Sequence, residues 1–142
     1  VSCNLKCFPG STVGDMSDYV KPILRRKPDN IILHVGTNDT SKRKATEIMN
    51  DIDRLCQEIK EAAPDVEIVL SELTKREDNE KAKQTVNEVN KLLENYCTAT
   101  NLSLITHNNI TNTSLNRSHL HLNRYGSSIF ARNIIKYLII LT

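Results

Sequence analysis

Apolar positions in this chain fall into two patterns that alternate along its length. NIILHVG at 30–36 and VEIVLSEL at 66–73 are short continuous apolar runs with many β-branched residues, as expected of strands buried on both faces. LSLITH at 102–107 reads as a further strand, and the mixed apolar opening VSCNLKCF at 1–8 as a first one. Between the strands, apolar residues recur at spacings of three and four. Ala45, Ile48, Met49, Ile52, Leu55, Cys56, Ile59 and Ala62 make one stripe, predicting a helix over 43–63 that Pro64 ends. Ala82, Val86, Val89, Leu92, Leu93 and Tyr96 predict a second over 80–97. PGSTVGDMSD reads as a turn and helix entry, with Asp15 or Ser17 as the cap and the helix running to about Arg25. Pro22 predicts a kink or early end in it. A last helix is expected over 127–140.

Strands alternating with helices imply right-handed crossovers and a mostly parallel sheet covered on both faces, a three-layer α/β/α sandwich. In such sheets the functional site lies at the carboxyl ends of the strands. That places PGS, GTND and the loop holding HLHLN on one rim. The last of these belongs to a long polar stretch, NNITNTSLNRSHLHLNRYG, of a length that compact domains reserve for function or leave disordered.

Composition narrows the class without naming a function. A length of 142 residues suits one domain, read here as spanning 1–142, and 39% hydrophobic with 25% charged residues is ordinary for a globular protein. A net charge of +2 gives no electrostatic case for nucleic acid or an anionic membrane. The acids are unevenly placed: none follows Glu94, while Arg117, Arg124, Arg132 and Lys136 do. Cys56 and Cys97 fall on apolar helix faces as small buried hydrophobes, and Cys3 and Cys7 are too far from them in sequence for a zinc pattern. No metal and no cofactor are expected, and a reduced, cytoplasmic setting is. YLIILT at the C-terminus is too short to cross a bilayer, and no signal peptide is visible. The chain starts with Val, consistent with a fragment.

The chemistry concentrates in IILHVGTNDT at 31–40. Gly36 lets the chain leave the strand sharply, and Asn38 then presents a neutral amide donor at the rim, suited to stabilising an oxyanion. Gly10 offers a backbone N–H and His121 an imidazole that can act as general base. On spacing alone, Asn38 and Asp39 read equally as caps of a turn before a helix. His34 reads as a hydrogen-bonded core residue, and His107 as a structural or substrate-lining one near the rim. His119 and His121 alternate, so they point to opposite sides if that segment is extended.

The order of these blocks resembles the SGNH hydrolases, also called GDSL-type esterases and lipases. FPGSTVGDM is similar to the family's second block, ILHVGTND to its third and HLHLNRYG to its fifth, over nearly the whole chain. The resemblance implies a flavodoxin-like architecture, serine-dependent hydrolysis of small-molecule acyl esters, an oxyanion hole of Gly10 and Asn38, supporting roles for Gly36 and Asp39, and His121 as base. Two departures stand out. The family's first block, a strand ending in Gly-Asp-Ser, is missing, so the first strand and the nucleophile are absent from the expected architecture. VGDM at 13–16 imitates that block with Met at the nucleophile position, and it reads as a helix start; Ser11 and Ser17 read as turn or cap residues. The family's Asp three residues before the histidine is here Ser118, so any acid, such as Asp39 or Asp15, must reach His121 through the fold. Two readings follow: an acyl-ester hydrolase domain, incomplete at its N-terminus and inactive or weak as it stands, or a non-catalytic interaction domain that keeps the fold, with retroelement-encoded proteins as an origin.

Overall fold

The computed structural model describes the backbone of residues 3–141 and the side chains through Leu138. Three strands form one parallel sheet in sequence order: β1 (Asn30–Leu33), β2 (Glu67–Ser71) and β3 (Ser103–Ile105). Four helices join and flank them: α1 (Val13–Leu24), α2 (Ala45–Ala62), α3 (Glu80–Thr100) and α4 (Arg124–Leu141). The register pairs Ile31 with Ile68, Leu33 with Leu70, and Leu70 with Leu104.

Strand alternation sorts the layers. Ile31, Leu33, Ile68 and Leu70 share one face and join the main core with the apolar stripes of α1, α2 and α3. Ile48, Ile52, Leu55 and Ile59 of α2 are at most 1% exposed, each contributing about 1.5–3 kcal/mol of burial. Cys56 and Cys97 are buried in this core, and burial pushes the Cys56 thiol up to about 11. Ser71, on the opposite face of β2, meets His107, and Phe130 of α4 stacks on that imidazole with ring centroids 4.6 Å apart. The expected three layers are therefore present, with α4 the one helix on the second face among the described residues. Its cover is partial: Tyr125 is 61% and Ile135 53% exposed.

Several expectations change. Residues 3–8 form no strand, and Val1 and Ser2 lie outside the described residues. A strand needs a hydrogen-bonding neighbour, and this segment has none; Leu5 is 85% exposed, and Phe8 anchors the segment by stacking on Tyr19 at 4.8 Å. Helix α1 is capped not by Asp15 or Ser17 but by Thr12, whose hydroxyl accepts the Asp15 N–H while the Asp15 carboxylate accepts the Thr12 N–H. Pro22 falls in the last turn of α1, where it removes one backbone bond and the helix still reaches Leu24. Helix α4 starts at Arg124 because the Asn123 side chain accepts the Gly126 N–H at 2.8 Å.

Candidate functional site

The parallel sheet delivers three connections to one end: GTND after β1, residues 72–79 after β2, and the loop from 106 after β3. Gly36 has φ +111°, a left-handed conformation that side chains rarely adopt, and it turns the chain out of β1 into a single 3-10 turn, Thr37–Asp39. That turn throws its two functional side chains in opposite directions. Asn38 is exposed, and its amide donates to the Ser11 carbonyl at 2.8 Å. Asp39 is buried, and its carboxylate accepts the Val13 N–H at 3.1 Å, closing the first turn of α1. The turn thus grips the PGS segment at Ser11 and the start of α1 at Val13, and Gly10, with φ +76° and open space where a Cβ would stand, lies beside that junction. Each amide of an asparagine carries two N–H bonds, so Asn38 keeps one beyond its bond to Ser11.

A buried arginine joins the second connection to the same turn. Arg76 is 6% exposed. Its Nη1 donates to the Thr37 carbonyl at 3.1 Å and to Thr40 Oγ1 at 3.0 Å, while Nε and Nη2 fork onto Asp78 at 2.7 and 2.6 Å. The Arg76 fork holds the Asp78 carboxyl below its ordinary range, with a smaller contribution from the nearby His121. The third connection follows: the Glu77 N–H donates to the His119 carbonyl at 2.7 Å.

His121 sits in an exposed turn, not an extended segment. His119 has φ +57°, and Leu115 bridges Leu122 across the turn. Ser118, at the position of the family's acid, braces the backbone: its Oγ accepts the N–H groups of Leu120 and His121, each at 3.2 Å, and it hydrogen-bonds the Asn116 side chain. Asn123 closes the motif by donating to the Thr113 and Leu115 carbonyls while capping α4. The structure therefore joins Ser11, next to Gly10, and Asn38 directly, and connects the turn that holds His121 to them through the 75–78 segment, by way of His119. Neither Asp39 nor Asp15 serves His121, since each is bound within its own turn or to α1.

A second polar cluster joins His34 and His107, the latter in the structural role expected of it, through Ser71 and Asn133, which the sequence did not single out. His34 follows β1 and is hydrogen-bonded as expected, its Nδ1 3.1 Å from Ser71 Oγ, but it sits at the edge of the second layer rather than inside the core: the residue keeps solvent exposure while its ring packs on Phe130 at 4.9 Å, and burial of the imidazole pushes it down to about 4. Ser71 Oγ lies 2.7 Å from His107 Nε2, and the Asn133 amide donates to His107 Nδ1 at 2.9 Å. With Nδ1 accepting, the neutral His107 must carry its proton on Nε2 and donate to Ser71, which in turn donates to His34. Burial pushes the His107 imidazole down to about 4, aided by the adjacent His34. This serine-histidine pair is thus polarised the wrong way for a nucleophile, because the imidazole donates where a base must accept. It fastens α4 to the sheet instead. Arg76, Asp78 and Asn123 were also missed; Asn123, directly ahead of a helix, is the one with a local signature.

Comparison with known proteins gives this geometry its setting. A carbohydrate esterase family 3 protein from Talaromyces cellulolyticus superposes with a TM-score of 0.79 at 20% identity, over 93% of this chain and 68% of that one. A GDSL-like lipase from Bacteroides thetaiotaomicron does so with 0.79 at 14% identity, over 94% and 73%. A lipase/acylhydrolase from Enterococcus faecalis gives 0.75 at 19%, over 91% and 71%. These likenesses bear on fold. No curated protein sequence matches the chain. Among the described residues no helix is long and apolar enough to cross a membrane. The family model for the GDSL-like lipase/acylhydrolase family matches residues 3–129, nearly the whole length, and it covers all three rim segments. The chain belongs to the GDSL-like lipase/acylhydrolase family.

Proposed function

We propose that residues 3–129 carry the oxyanion-binding and base-bearing part of an acyl-ester hydrolase domain, without efficient turnover by the 142 residues themselves. Asn38 and Gly10 form the oxyanion hole, His121 is the base, and Gly36 and Asp39 hold the turn that aims Asn38. The observation that carries this reading is the 2.8 Å bond from the Asn38 amide to the Ser11 carbonyl, which ties the two donor segments together at the rim. Donors set in advance on a rigid turn stabilise developing negative charge without reorganising. What is wanting among the described residues is a hydroxyl poised for His121, since Ser118 spends its oxygen on backbone N–H groups and Ser71 is buried against His107.

The test is p-nitrophenyl acetate hydrolysis followed for a burst, the sign of an acyl-enzyme. The chain should show no stoichiometric burst, in keeping with the roughly 10⁶-fold loss that removing a catalytic serine causes in a serine hydrolase. Where natural sequence precedes Val1, a version extended by it should show a burst that His121→Ala and Asn38→Ala each suppress. A burst from the 142-residue chain would overturn the inactive part of the reading. An inert extended form would favour the non-catalytic interaction domain.

A further inference from the structure

We propose that Asp78, delivered by the β2–α3 connection, is the carboxylate that orients His121 in this chain. The inference rests on the reading of His121 as base. The sequence creates the problem: no acid follows Glu94, and the position three residues before His121 is Ser118. Ser118 cannot substitute, because its Oγ is bonded to the Leu120 and His121 N–H groups and to Asn116. Asp15 is occupied in the Thr12 cap, and Asp39 on Val13 and Arg43.

The fold solves it from another segment. The Glu77 N–H bond to the His119 carbonyl, 2.7 Å, lays residues 75–78 along the histidine turn. Of the two acids there, Glu77 is neutralised by ion pairs with Lys75 and Lys83 at 3.2 and 3.0 Å, although its Oε1 accepts no hydrogen bond. Asp78 is held by the Arg76 fork, with its side chain 24% exposed. Each carboxylate oxygen receives one Arg76 bond and has a second lone pair free. The nearness of His121 is also felt at the Asp78 carboxyl, which it helps hold low. The two side chains are not hydrogen-bonded in the unliganded chain, and contacts of this kind tighten when substrate is seated.

Arg76 adds a second consequence. The same guanidinium that clamps Asp78 donates to Thr37 and Thr40 in the Asn38 turn. The position of the carboxylate is therefore fixed relative to the oxyanion donors, by a planar side chain with little freedom once buried. Asp78 is a positioning residue: it selects the imidazole tautomer whose N–H faces it and leaves the other nitrogen as acceptor.

The test reads the tautomer directly and needs no turnover, so its failure is distinct from failure of the esterase reading. Imidazole ¹⁵N spectra of the neutral protein, with His121 assigned through His121→Gln, should give a tautomer ratio at least about twofold away from that of free histidine in the same buffer, the size expected of a solvent-open charged contact. Asp78→Asn should return the ratio to the free value, and Glu77→Gln should leave it unchanged. If Asp78→Asn alone does not fold, Arg76→Met with Asp78→Asn leaves no unpaired buried charge and reports the same ratio. A wild-type ratio equal to that of free histidine, or one that survives loss of Asp78, overturns the assignment.

Discussion

Removing the Asp39 carboxylate tests how the oxyanion turn is built. The Asp39 side chain is fully buried, and its Oδ2 accepts the N–H of Val13, itself 0% exposed, at the start of α1. Asp39→Ala strands that N–H, and losing a buried hydrogen bond to a charged acceptor costs about 2–3 kcal/mol. Arg43 adds little, because its 3.4 Å contact with Asp39 is backed by Asp51 and Glu47. Asp39→Asn keeps an acceptor of the same shape and should cost about 1 kcal/mol. Urea denaturation followed by circular dichroism measures both, and an unchanged slope would confirm that compactness is preserved. The Asn38 side-chain amide resonances should move in the alanine variant, since the α1 entry loses its tie to the turn and the nearby Ser11 carbonyl, which the Asn38 amide binds, shifts with it. Alanine within about 0.5 kcal/mol of wild type, the scatter of an ordinary surface change, would refute this account. So would asparagine costing as much as alanine.

Gly126→Ala should destabilise by about 1–3 kcal/mol despite alanine's better helix propensity, because its Cβ would stand 2.3 Å from the Ser114 carbonyl oxygen; thermal melts showing stabilisation would contradict the packing. Stability should fall as pH drops from about 6.5 to about 4 in proportion to proton uptake by the unfolded chain at His107 and His34, both pushed down to about 4 by burial. Depressed folded values mean that their contribution is complete above the unfolded value and is lost on acidification, by up to about 3 kcal/mol for the buried His107. Glu72, whose carboxyl burial pushes up and whose Oε1 accepts the His107 N–H, acts in the opposite sense near the bottom of that window. His107→Gln should flatten the slope in pH-dependent urea titrations.

Much of the architecture was legible one residue at a time. The apolar runs at 30–36 and 66–73 and the three-four stripes of α2 and α3 are local periodicities, and they specify strand or helix wherever a sheet face is there to receive them. The GTND and HLHLN blocks were equally readable, because glycine and asparagine do their work through backbone freedom and short-range donors. Residues 3–8 show the limit of that reading: their pattern permits a strand, but a strand exists only with a partner, and none is paired to them here.

The site divides along the same line. The sequence by itself set Gly36, Asn38 and His121 on the carboxyl rim, since the alternation of elements fixes which loops share an end. Only the tertiary structure decided that Asp39 faces inward to hold α1, that Ser71 and His107 serve α4, and that Arg76 and Asp78 join the oxyanion turn to the histidine turn. Apart from the local Arg76–Asp78 fork, those contacts link residues 26 to 42 positions apart in the chain, and hydrogen bonds across such separations leave no trace in local periodicity.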